Sequence, residues 1–111
     1  MQLFSDPGLV NRQMLEDMLR YKRLEGVDSA LRQLAGTLFA AGRQQIDLSG
    51  VLEGGRHPAL VIWGDADAII PARHAQGLDA EVHILPGQAH MVQMEAADEV
   101  NRLIQGFLDR Q

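Results

Sequence analysis

The chain contains no cysteine, which excludes a disulfide framework, a Cys-ligated zinc or iron–sulfur centre and a thiol nucleophile, and fits a reducing compartment, so the cytoplasm is the expected location. It has no basic block either: ten Lys and Arg are spread among 111 residues against fifteen Asp and Glu, for a formal net charge of −5. Nucleic acid and anionic membrane surfaces need concentrated positive charge, so neither is an expected partner. No apolar run approaches the roughly 20 residues of a spanning helix. The N-terminus lacks a basic segment followed by a long apolar one, and a soluble chain is expected. Internal repeats and low-complexity tracts are absent as well. What is present is the composition of one globular domain, 46% hydrophobic and 23% charged, with room for a modest core.

Hydrophobic spacing changes character once along the chain. In DPGLVNRQMLEDMLRYKRL, Asp6 can cap and Pro7 can open a helix, with Val10, Met14 and Met18 recurring at helical spacing beside Leu15 and Leu19. GVDSALRQLAGTLFAAG predicts a second helix with a stripe of Val27, Leu31, Leu34 and Leu38, weakened by Gly36 and stopped at Gly42. The two are expected to pack as a pair. Residues 43–58 read as a connector with one short helix before Gly54-Gly55. This divides the chain into a helical region with its connector, residues 1–57, and a second region, residues 58–111.

From Pro58 onward the pattern is α/β. ALVIW, Ala59 to Trp63, is apolar on both alternating faces, as expected of a parallel strand covered on both sides. EVHIL, Glu81 to Leu85, is a second strand, and PARHAQGL between them predicts a helix from Pro71 to near Gly77. In EAADEVNRLIQGFLDR, the spacing of Val100, Leu103, Ile104, Phe107 and Leu108 predicts a final amphipathic helix. Asp65 and Asp67 then fall beyond the carboxyl end of the first strand and His90 beyond that of the second. That is the edge of an open α/β sheet where ligands and catalytic groups collect. A carboxylate and an imidazole meeting there suit a base whose tautomer the carboxylate fixes, leaving Nε2 to take a proton from a nucleophile.

PALVIWGDADAIIP followed by HILPGQAHMVQMEAADEVNRLIQGFL resembles the C-terminal part of α/β-hydrolases. The resemblance implies that the Gly64-x-x-Asp67-x-x-x-Pro71 loop carries the catalytic acid, Asp67, and the Gly87-x-x-His90 loop the base, His90. Asp65 is the lesser candidate. More narrowly, DPGLVNRQMLEDMLRYKRLEGVDSALRQLA and HMVQMEAADEVNRLI are similar to the hydrolase-like acyltransferase (E2) components of acetoin dehydrogenase complexes. That likeness implies cap-like first helices, an acyl substrate, no cofactor within this chain and a lipoyl group on an upstream domain. Ala89 departs from the glycine that often precedes the histidine.

The family also needs a Gly-x-Ser-x-Gly elbow to present its serine. None of Ser5, Ser29 and Ser49 has glycines two residues to either side. The expectation is a C-terminal piece of a longer enzyme, carrying acid and base but not their nucleophile and inactive alone. A sheet of two parallel strands has unpaired edges, so a homodimer or higher oligomer is expected. The competing reading is a non-catalytic oligomerisation or docking module with an idle Asp–His pair. Simpler roles stand beside each site residue: Asp67 as a turn former, His90 as a loop histidine, Met91 and Met94 as packing rather than acyl-pocket walls. Trp63 reads as core, and EAADE as the solvated first turn of the last helix. His57, His74 and His83 read as surface or strand-face residues. No histidine pair has zinc-site spacing.

Overall fold

A computed structural model of the chain describes residues 3–39, 42–46, 49–55 and 57–111. These form two compact units, Val10–Leu48 and Met1–Leu9 with Ser49–Gln111. Among the described residues no helix is long and apolar enough to cross a membrane.

The first unit is a pair of helices in contact, α1 (Arg12–Lys22) and α2 (Val27–Leu38). Pro7 does not open α1. Pro7–Leu9 makes a single 3-10 turn, in which Asp6 Oδ1 accepts the Gly8 N–H at 2.8 Å. Extended Asn11 then caps α1, its side-chain oxygen accepting the Met14 N–H at 2.9 Å. Asparagine is among the strongest N-caps because it satisfies a donor that has no intrahelical partner. Gly36 lies within α2 without breaking it, and the helix ends at Leu38, ahead of Gly42. Neither helix buries a side chain. The predicted stripes are there, but Met18 is 50% exposed and Leu34 57%.

The second unit contains the sheet. Strands β1 (Leu60–Gly64) and β2 (Glu81–Leu85) are parallel, with Ile62 opposite His83 and Gly64 opposite Leu85. The Glu81 N–H reaches the Ala59 carbonyl at 2.9 Å, so the ladder begins with the residue at which the apolar run starts. Before it, the described residues of the connector include a 3-10 turn, Ser49–Val51, and Gly54 and Gly55 take positive φ, +82° and +58°. Residues 47 and 48 of the expected short helix lie outside the described residues. The segment between the strands is not an α-helix. Ala72–Ala75 forms one 3-10 turn, and Gln76 is already extended, at φ −75° and ψ 136°, so the chain leaves helical geometry before a second turn can form.

After β2 come a one-turn helix, α3 (Val92–Glu95), and α4 (Ala97–Leu108). Ala96, at φ −127° and ψ 47°, separates them. The core joins Leu85, Val92, Val100 and Leu103, with Ile62 and Ala96 packed against it. Thus α4 turns part of its apolar stripe inward, while Ile104 and Leu108 remain 41% and 58% exposed. Coverage on both sheet faces was expected. Ile62 and Leu85 lie under the core helices, whereas Ile84, on the opposite face, is 41% exposed.

Candidate active site

At the end of β1 lies Gly64, which is buried and has no room for a side chain. A Cβ there would collide with the carbonyl oxygens of Gln88 and Ala89 and lie 2.6 Å from the Gln88 carbonyl carbon. The close approach brings two loops together, the acid loop after β1 and the histidine loop after β2. The Asp65 N–H meets the Leu85 carbonyl at 3.1 Å and the Ala66 N–H the Gln88 carbonyl at 2.9 Å. Asp65 is part of this clamp: its Oδ1 accepts the Gly87 N–H at 2.6 Å. Its carboxylate is thus used to tie the loops, and the structure brings Asp67 rather than Asp65 to the imidazole.

Asp67 is 8% exposed, and its two oxygens have separate tasks. Oδ1 accepts the N–H groups of Ile69 and Ile70 at 2.8 and 2.9 Å, the local turn that an aspartate readily makes. Oδ2 lies 2.9 Å from His90 Nδ1. Turn former and histidine partner are therefore the same residue. Trp63, half-buried, pins the far end of the loop through its Nε1–H, 3.0 Å from the Ile70 carbonyl. Because an ionised carboxylate only accepts, Nδ1 carries the proton in this contact and Nε2 is left to accept one from another group. Burial alone pushes the Asp67 carboxyl up. The N–H groups of Ile70 and Ile69 and the His90 ring outweigh burial, and the carboxyl is held below its usual value.

A cavity of about 200 Å³ opens beside the pair, with Ile62, Trp63, Ile70 and Val92 as apolar wall and His90 and Asp67 at its polar side. Neither Met91 nor Met94 lines it, and Met94 is 44% exposed. His57 and His74 are exposed, and His83 meets Glu81 at 2.8 Å on the strand. Among the described residues no group of three or more His, Asp or Glu side chains could hold a metal ion.

Glu95 belongs to the site's surroundings in a way the acidic cluster EAADE did not foreshadow. It ends α3 instead of opening α4, and its Oε2 accepts the Ala89 N–H at 2.5 Å. Burial acts upward on this carboxyl too, but hydrogen bonds from the Ser5 hydroxyl and N–H and from the N–H groups of Ala89 and Asp6 bring it down. Both Asp67 and Glu95 thus bind a proton less tightly folded than unfolded. Their stabilising contribution is complete above the unfolded carboxyl values of about 4 and is lost as pH falls through the depressed folded values. The expected result is a thermal midpoint that is flat near neutrality and falls steadily below about pH 5, with a shallower fall in Glu95→Gln. Thermal denaturation across pH 3–8 measures it, and equal slopes in the two proteins would contradict it.

Comparison with known proteins adds relatives to this geometry. No protein-family model matches the chain, and no solved structure matches it. The chain is 63% identical over 108 residues to the dihydrolipoyllysine-residue acetyltransferase component of the acetoin cleaving system of Pseudomonas putida. It is 46% identical over 108 residues to the same component of Cupriavidus necator. Each alignment covers 96% of this chain but 29% of the relative, so the chain spans less than a third of those proteins. A more distant likeness, 30% identity over 108 residues, covers 90% of this chain and 38% of the 2-hydroxy-6-oxo-6-phenylhexa-2,4-dienoate hydrolase of Delftia acidovorans. Along almost its whole length, then, this chain is a sequence relative of the acetyltransferase components of acetoin cleaving systems and, more distantly, of hydrolases.

Proposed function

We propose that this chain is the acid-and-base portion of an α/β-hydrolase-like acyltransferase, with Asp67 as the acid that orients His90 and His90 as the general base. The observation that carries the reading is the 2.9 Å contact between buried Asp67 Oδ2 and His90 Nδ1, beside an apolar cavity. The nucleophilic serine comes from outside these 111 residues. His90 Nε2 takes the serine's hydroxyl proton as the serine oxygen adds to the acyl carbonyl, and returns it to the leaving group as the acyl-serine forms. The same nitrogen then takes the proton of the acceptor as it adds to the acyl carbon, and returns it to the serine oxygen as the acyl–serine bond breaks. In keeping with the relatives' name, that acceptor is a dihydrolipoyl-type thiol, a substrate carried by another domain and not a cofactor of this chain. Hydrolysis is the neighbouring chemistry, with water in place of the thiol. The setting is cytoplasmic.

A second reading, an oligomerising or docking module, draws on the apolar residues that α1 and α2 leave exposed, among them Leu15 at 49% and Leu31 at 50%.

The deciding experiment replaces the matching 108 residues of the Pseudomonas putida relative with this chain. The chimera is expected to transfer acetyl groups to a dihydrolipoyl acceptor, its His90→Ala variant to lose roughly 10³-fold or more in turnover, and the 111-residue chain alone to show no active-site-titratable ester hydrolysis. A folded chimera without activity, from a chain that self-associates in light scattering, would favour the docking module. Robust titratable turnover by the chain alone would overturn the external nucleophile.

A further inference from the structure

His90 is held through its neighbours as well as through its ring. On the amino side, the Ala89 N–H donates to Glu95 Oε2 at 2.5 Å. On the carboxyl side, the Met91 N–H donates to the Leu3 carbonyl at 3.1 Å. The other carboxylate oxygen of Glu95, Oε1, accepts the Ser5 hydroxyl at 2.5 Å and the Ser5 N–H as well. Residues 3 and 5, some ninety positions away in sequence, thus form part of the frame around the histidine loop. Glu95 is the joint between them and Ala89.

We propose that Glu95, anchored by Ser5, is a positioning residue that sets the backbone of the His90 loop so that the imidazole reaches Asp67. The inference deepens the acid–base reading of Asp67 and His90 and rests on it. Its chemical basis is the acceptor count. Glu95 receives donors on both oxygens, and Ala89, whose N–H is one of them, is 2% exposed. Water has little access there to replace the carboxylate. A glutamine of the same shape offers one acceptor oxygen and turns an NH₂ group toward the remaining donors. An aspartate is one methylene short. Only an ionised glutamate serves Ala89 and Ser5 together, and loss of either connection frees the residue next to the base. The clamp at Gly87 and Gln88 holds the start of the loop, so the Glu95 bond governs the stretch that leads directly into His90.

The test uses the full 111-residue chain labelled with ¹⁵N and reads the exchange rate of the His90 Nδ1–H with water by NMR. A purely structural role for Glu95 would lower stability without altering this proton in the molecules that remain folded. In wild type the proton is expected to be protected by Asp67, and Asp67→Asn, as the control, to lose the protected Nδ1–H signal because the ring moves to the Nε2–H tautomer. Glu95→Gln is expected to speed exchange by roughly tenfold, the equivalent of losing one charge-assisted hydrogen bond, with far-UV dichroism and methyl dispersion intact. A folded Glu95→Gln protein with unchanged exchange would overturn the proposal. If Glu95→Gln does not fold, Ser5→Ala decides, since it removes only the hydroxyl of an exposed residue: exchange about threefold faster supports the role, and unchanged exchange overturns it. Protection that survives Asp67→Asn would instead sink the acid–base reading itself, separately from the role of Glu95.

Discussion

In the chimera, Asp67→Asn is expected to lower turnover by about 10³- to 10⁴-fold, the loss serine enzymes show when the triad aspartate is so replaced, and to leave substrate affinity nearly unchanged. The size follows from the division of labour between the two oxygens. An asparagine can keep its carbonyl oxygen on the Ile69 and Ile70 N–H groups, so the loop survives. Its NH₂ group then faces His90 Nδ1, where the carboxylate accepted a hydrogen bond. Two donors cannot share that bond. The ring is driven to the tautomer with Nδ1 bare and Nε2 protonated, and a protonated Nε2 cannot act as base. Steady-state kinetics with active-site titration, run beside the NMR signal of the imidazole, measures both the loss and its cause. A variant that keeps more than about a tenth of the wild-type turnover would show that Asp67 does not set the tautomer, since that duty alone accounts for the far larger loss.

The second large effect belongs to Gly64. Gly64→Ala is expected to destabilise the chain by at least about 3 kcal/mol, at or beyond the upper end of ordinary overpacking, and to lower the thermal midpoint by more than about 10 °C. The atoms a methyl group would strike are main-chain carbonyls of Gln88 and Ala89, which cannot swing aside as a flexible side chain does. Nor can the loops separate cheaply. The Asp65 N–H is bonded to the Leu85 carbonyl and the Ala66 N–H to the Gln88 carbonyl, immediately beyond the point of collision. Relief would require breaking those bonds and the Asp65–Gly87 contact, so the histidine loop moves away from Asp67 as stability falls. Circular dichroism melts would show the loss, and a midpoint within about 2 °C of wild type would mean that the loops have slack.

The outline of the strands was legible because an apolar run bounded by proline and glycine admits few arrangements: the stretch from Ala59 to Trp63 reappears as a ladder from Leu60 to Gly64 with Ala59 accepting at its start. The order of loops was legible as well, since two parallel strands put both their carboxyl-end loops on one edge, and there Asp67 and His90 meet. Other elements were decided by local competition that hydrophobic spacing does not register. Pro7 suits a helix start, but Asn11 offers a better cap and the α-helix begins after it. Pro71 suits one too, but the chain is extended again by Gln76. The acidic run from Glu95 to Glu99 reads alike along its length, yet the break at Ala96 gives its first member a different neighbourhood from the rest.

The chemistry on offer was readable in the amino-acid order: no thiol, no serine elbow within the chain, and a carboxylate and an imidazole placed beyond successive strands. These follow from residue type, order and spacing. Tertiary contacts were needed to show which aspartate reaches the histidine and which instead ties the loops, and that Ser5 and Glu95 meet beside the His90 loop. The reason is that these are contacts between residues 23 and 90 positions apart, whose partners depend on side-chain direction and on distances of a few tenths of an ångström. Such quantities exist only once the backbone has closed around Gly64.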